Sequence, residues 1–133
     1  MYPNGKHILV IDSEPERRRH CERVLSGEGF AVTVVGEGFS AIRAAAGRRF
    51  ALAIVAVNLP GTVDGLATLR QLRVRQPWLK ALFTGHAERR PLRLDADRDD
   101  FIAAEFHSHE LLGCVFELLQ REPLFGRSRD LAG

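Results

Sequence analysis

Two stretches of this chain are apolar at every position, Ile8-Leu9-Val10-Ile11 and Phe50 to Val57. A strand with one face in water alternates apolar with polar residues. A run without alternation has to be covered on both faces. Central strands of a parallel sheet meet that demand, and parallel neighbours need a crossover between them, usually a helix. The sequence supplies the crossovers. Between the two runs lie a helical stripe (Cys21, Val24, Leu25) closed by Gly27 and Gly29, a strand-like Phe30 to Val35, and an Ala-rich helix from Ser40 to Ala46 stopped by Gly47. Beyond them, Asn58-Leu59-Pro60-Gly61 and Asp64-Gly65 mark a loop. Leu66, Leu69 and Leu72 then define a helix face that ends before Pro77.

Leu79 to Phe83 reads as a fourth strand and Phe101 to Ala104 as a fifth. Ser108 to Arg121 reads as a last helix, with Leu111, Leu112, Val115, Leu118 and Leu119 on one stripe. Strands alternating with helices predict a parallel sheet covered on both faces, with right-handed crossovers. At the first helix, Ser13 is a cap candidate, Pro15 fits the first turn, and Glu14 and Glu16 suit the positive end of the helix dipole. Arg17, Arg19, Glu22 and Arg23 fall off the apolar stripe and are expected in solvent, as are Arg70 and Arg73. The stretch 86–100 should hold a helix, but Pro91 interrupts it and Asp95, Asp97, Asp99 and Asp100 crowd its end, so a short or distorted helix is expected.

At 133 residues the chain fits one domain, assigned to 1–121, followed by a polar tail over 122–133 in which Leu124 and Phe125 are docking candidates. Nineteen basic residues against seventeen acidic ones give +2, too even to argue for nucleic acid or an anionic membrane. No apolar run has the roughly 18–20 residues a membrane helix needs, and no secretory signal is legible, so a cytoplasmic location is expected. Cys21 and Cys114 lie far apart within helical patterns, which suits small core residues in a reducing compartment. Neither has neighbours at metal-ligand spacing.

In an open parallel sheet, ligands bind outside the carboxyl ends of the strands. The residues there are Asp12, Ser13 and Glu14, then Ala56 to Pro60, then Thr84 and Gly85, then Ala104 to Phe106. Ile-Leu-Val-Ile-Asp-Ser-Glu-Pro at 8–15, Ala-Val-Asn-Leu-Pro-Gly at 56–61, Asp64-Gly65, Phe83-Thr84-Gly85 and Phe101 to Phe106 resemble the signature segments of response-regulator receiver domains. They keep the family's order and spacing over about residues 6–121. The resemblance implies an α/β, doubly wound, five-stranded parallel sheet of the flavodoxin-like type, with strand order 2-1-3-4-5.

It also implies a phosphoryl-transfer site: two acidic residues after strand one that help to hold magnesium, an aspartate acceptor ending strand three, a Thr or Ser after strand four, and a Lys after strand five. Magnesium wants oxygen ligands and the phosphoryl charge wants a cation and donors. Here the first acidic position is Asp12 and the hydroxyl position is Thr84. The second acidic position is Ser13, the acceptor position is Ala56, and the lysine position is Ala104, followed by Glu105 in place of the usual proline. Asn58 lies in the same vestigial pocket. A methyl group cannot be phosphorylated, and one carboxylate with a serine is a poor magnesium site.

Three losses together argue against a single engineered Asp→Ala change at 56. The expectation is therefore a pseudo-receiver of two-component signalling, not an enzyme, with no catalytic residue, metal or cofactor. It would act through a sensor kinase, another signalling protein or a second copy of itself. The face implied for such contact spans 86–121, with Phe101 and Phe106 as its aromatic residues. Two alternatives stand beside it: a phosphotransfer receiver with an atypical acceptor, and a small-ligand sensor using the vacated pocket.

Smaller features have bland readings that outweigh the functional ones. Glu14 is more readily a first-turn acid than a replacement ligand, and Glu105 is expected in solvent. His107 and His109 flank Ser108, read as a helix cap rather than a metal or phosphoryl site. The run Arg17-Arg18-Arg19-His20 reads as a solvated face or, with Arg43, Arg48 and Arg49, as a basic patch for an acidic partner. No Gly-rich phosphate loop follows strand one, which disfavours flavin.

Overall fold

A computed structural model describes residues 6–121. The elements run β1 (His7–Ile11), α1 (Pro15–Gly27), β2 (Ala31–Val35), α2 (Gly38–Gly47), β3 (Leu52–Ala56), α3 (Gly65–Arg75), β4 (Lys80–Gly85), β5 (Asp99–Ala103) and α4 (Ser108–Gln120). The five strands form one sheet in the order β2-β1-β3-β4-β5, every pair parallel. This is the doubly wound order that the resemblance implied. The tail over 122–133, including Leu124 and Phe125, lies outside the described residues.

The unbroken apolar runs are explained by two separate cores. Ile8, Val10, Leu52, Ile54 and Leu82 point to one face, where Cys21 and Leu25 of α1 meet Leu111, Val115 and Leu118 of α4. Leu9, Ile11, Ala53, Val55, Ala81 and Phe83 point to the other, against Ala41 and Ala45 of α2 and Leu69 and Leu72 of α3. Successive residues of β1 and β3 feed opposite cores, so neither strand has a position to spare for a polar side chain.

Three polar side chains tie elements together from inside. Gln76 is 4% exposed; its Oε1 accepts from Phe50 N at 2.8 Å, and its Nε2 donates to the carbonyls of Ala45 (3.0 Å) and Arg48 (2.7 Å). Lys80 Nζ donates to the carbonyls of Leu118 and Arg121 at 2.5 and 2.6 Å, meeting acceptors at the end of α4. Arg73, expected in solvent, is instead folded inward. It donates to Leu79 O and to Asp99 Oδ1, the latter at 2.6 Å with both side chains largely buried. A helix-face count misses it because the guanidinium reaches past its own helix to the start of β5.

The stretch over 86–98 departs most from a regular crossover. Only a single 3-10 turn, Ala87–Arg89, forms there. Pro91 is buried and brings no N–H to a helical ladder. Downstream, the Asp95 carboxylate takes Asp97 N at 3.0 Å, and its carbonyl takes Arg98 N and Asp99 N. These local bonds close a turn and compete with helix formation. The structure therefore holds four α-helices among the described residues, where the sequence had suggested a fifth, distorted one.

Candidate functional site

The parallel register fixes the carboxyl edge of the sheet. Ala56 is paired with Thr84 across β3 and β4, and Ile11 with Val55 across β1 and β3, which sets Asp12 beside Ala56 one residue further on. Gly85 pairs with Ala103, and Ala104 N then donates to Gly85 O at 2.9 Å, seating Ala104 at the same edge. Asp12, Ala56 and Thr84 are buried, at 4, 5 and 2% exposure, while Ala104 is half-buried. Ser13 and Asn58 lie in solvent at the rim. The fold thus brings Asp12, Ala56, Thr84 and Ala104 to one edge and leaves Ser13 and Asn58 outside it.

The decisive contact is one the sequence reading missed. Arg17 Nε lies 2.5 Å from Asp12 Oδ2, and its Nη2 3.1 Å from Asp12 Oδ1. This is a two-pronged pairing of guanidinium with carboxylate, the geometry in which such pairs are strongest. The Asp12 hydrogen bond pushes the Arg17 pKa up still further. Glu14 N donates to Asp12 Oδ1 at 2.9 Å, and Arg18 Nη1 donates to the Asp12 carbonyl at 2.7 Å. Arg17 is among the α1 residues that the helical stripe puts in solvent. The overlooked signal was its position just after a retained aspartate, in the helix's first turn, from which a long side chain folds back over the loop.

A magnesium ion, implied by the resemblance, does not fit these residues. Asp12 is the carboxylate buried at this edge, and both its oxygens are taken by Arg17. Ser13 faces solvent, and Ala56 offers no side-chain oxygen. Nor does Glu14 step in: it is the exposed N-cap of α1, its carboxylate accepting from Glu16 N at 3.4 Å. The cap is Glu14 rather than Ser13, because Asp12 closes the turn through Glu14 N.

Other sequence expectations are revised at the β5–α4 junction. Phe106 is not a surface aromatic. It is 7% exposed, lies in the α1–α4 core and stacks on His20 at 5.6 Å between centroids. Phe101 is half-buried against the α2–α3 core, with the Arg90 guanidinium 5.5 Å above its ring. Ser108 does not cap α4. The N-cap is His107, whose N–H donates to Glu110 Oε1 at 2.8 Å, and Ser108 Oγ bonds His20 Nε2 at 3.0 Å. His107 and His109 are exposed with stacked rings, and Glu105 is exposed as expected. Among the described residues no cluster of three metal-ligating side chains occurs.

Cys21 sits just behind the site. Burial, with a contribution from the Asp12 charge, pushes its thiol up to about 12. At neutral pH the reactive thiolate is then a very small minority. Cys114 is also raised, mainly by burial. Iodoacetamide at pH 7 is therefore expected to leave Cys21 unmodified in the folded protein over a time in which the urea-unfolded chain gains two adducts by mass.

Comparison with known proteins agrees with the architecture. The family model described as response regulator receiver domain matches residues 8–116. The transcriptional regulatory protein TcrA of Mycobacterium tuberculosis is 33% identical over 124 residues, which are 91% of this chain and 49% of TcrA. Protein PetR of Rhodobacter capsulatus is 32% identical over 125 residues, 92% of this chain and 52% of PetR. The chain spans about half the length of these curated relatives. Among solved structures, a response regulator receiver protein from Sinorhizobium medicae superposes with a TM-score of 0.74 at 25% identity, over 88% of this chain and 97% of that one. NtrX from Brucella abortus gives 0.78 at 26% identity, over 98% of this chain and 30% of NtrX. Sheet order, pocket position and family match converge, and the chain belongs to the response regulator receiver domains of two-component signalling.

Proposed function

We propose that this receiver domain works as a non-phosphorylatable signalling module, not an enzyme, passing information by binding another protein. The observation that carries the reading is the Arg17–Asp12 pair. A protein cation already neutralises the one buried carboxylate of the pocket, beside a methyl group where an acceptor would stand. The pocket has neither a carboxylate nucleophile at Ala56 nor a cation at Ala104, so a phosphoryl group would meet no acceptor at the end of β3 and no lysine countercharge.

The partner is a sensor kinase, another signalling protein or a second copy, acting in the cytoplasm. No helix among the described residues is long and apolar enough to cross a membrane. The contact surface is β5, α4 and the stretch over 86–98, where Leu92 is fully exposed and Phe101 is held beneath Arg90. With no charged acceptor or lysine in the pocket to re-form contacts, Phe101 keeps one position.

Incubation with acetyl phosphate and magnesium, followed by intact mass measurement, is expected to give no phosphoryl adduct. The Ala56→Asp variant is expected to give none either, because Arg17 still holds Asp12 and position 104 still lacks a cation. An adduct on the unaltered chain would overturn the proposal and favour an atypical acceptor. A metabolite that raised the melting temperature and lost its effect on Ala56→Leu substitution would favour a ligand sensor instead.

A further inference from the structure

At the end of the sheet opposite the pocket, the last turns of α2 and α3 frame an open groove of about 370 Å³. It is lined by Arg48, Arg49, Arg75 and Trp78, with Ala46 and Gly47 at the end of α2. The sequence had grouped Arg48 and Arg49 with the arginines of α1 as one basic patch. The fold separates them, because α1 packs on one face of the sheet and α2 on the other.

Three features bear on what this groove can hold. First, its charge is uncompensated: among the described residues, the five ion pairs involve Arg17, Arg73, Arg98 and Arg121, and none involves Arg48, Arg49 or Arg75. The neighbourhood feels that excess. Arg48 Nη1 lies 3.2 Å from His7 Nδ1, and burial first and then Arg48 lower the His7 pKa.

Second, the groove is fixed in place. Arg49 lies 3.8 Å over the Trp78 ring, and the indole N–H donates to Phe50 O at 3.0 Å. Gln76 clamps both helix ends from below. Third, the groove offers acceptors as well as cations. The carbonyls of Ala46 and Gly47, at the open end of α2, accept no hydrogen bond from any described residue.

We propose that this groove binds an acidic peptide segment of a partner protein, its carboxylates paired with Arg48, Arg49 and Arg75. The two-pronged guanidinium fits carboxylate and phosphate alike. The free helix carbonyls decide between a peptide and a nucleic acid strand. A peptide brings backbone N–H donors to meet them, whereas a phosphodiester backbone brings only more acceptors. Arg49 also already covers one face of Trp78, where a base would otherwise stack. The site is separate from the vestigial pocket and does not depend on it.

Trp78 is the only tryptophan in the chain, so its emission reports directly on the groove. The experiment titrates the full chain with a synthetic peptide of alternating Asp and Glu, at low and at physiological salt, following Trp78 fluorescence. A saturable change is expected. The Arg48→Glu and Arg75→Glu variants, with circular dichroism as a check on folding, are each expected to weaken binding by roughly tenfold or more. Arg48→Gln and Arg75→Gln, which remove charge without reversing it, should fall between. Arg19→Glu and Arg23→Glu make the same charge change on the exposed face of α1 and are expected to change affinity by less than about twofold. Equal losses in the α1 variants, no saturable change, or tighter binding of a single-stranded oligonucleotide of equal charge would each overturn the proposal.

Discussion

Replacing Arg17 with alanine is expected to lower the unfolding free energy by about 2 kcal/mol, more than removing both partners of its ion pair would. The reason lies in unequal exposure: the Asp12 side chain is 5% exposed and that of Arg17 29%. Without Arg17, a buried carboxylate keeps only the Glu14 N–H on its side chain. Without Asp12, the arginine swings into water at little cost. A fully buried pair broken in this way costs about 3–5 kcal/mol, and the partial exposure of Arg17 argues for a figure below that range. Urea unfolding of Arg17→Ala, Asp12→Ala and the double variant checks this. If the Arg17→Ala loss is within error of zero, the pair is a surface contact and its role in the proposed function falls with it.

Gly65→Ala is expected to be at least as costly, about 3 kcal/mol and a drop of roughly 10 °C in melting midpoint. Gly65 opens α3 directly against the end of β3. A Cβ there would fall far inside van der Waals contact with the Ala56 carbonyl oxygen and 3.0 Å from Val57 Cα. Those neighbours are backbone in the central strand, held by Gly65 N to Val57 O at 3.1 Å, and they have no rotamer by which to move aside. Gly113→Ala is the matched control. It lies mid-helix in α4 with nothing within 4 Å of the added methyl, so the same change there is expected to stabilise by about 0.5–1 kcal/mol. Thermal and urea unfolding of both variants tests the pair of opposite signs.

The sheet was legible in the sequence because its two central strands serve two cores and tolerate no polar residue, which left an unmistakable pattern at Ile8–Ile11 and Phe50–Val57. Element ends were less so, since caps depend on which side chain turns back. Asp12 rather than Ser13 closes the turn before α1, and Glu110 rather than Ser108 serves the start of α4. Strand ends placed Asp12, Ala56, Thr84 and Ala104 among the residues of the carboxyl edge, and the family resemblance singled them out as pocket positions. What occupies the pocket did not, because Arg17 and Arg73 are long side chains that reach beyond the helix face on which their positions are counted. Phe106 was misread for a related reason: one residue's rotation after the last strand decides whether an aromatic ring faces α1 or water.

Gln76 bears on how the groove meets a ligand. Its three hydrogen bonds join the end of α2, the approach to β3 and the end of α3. The end of α2 cannot fray alone without orphaning a buried amide, so these segments open together or not at all. The backbone carrying Arg48, Arg49 and Arg75 is thus ordered during folding rather than on contact. An incoming segment meets a preorganised surface and has mainly its own freedom to lose.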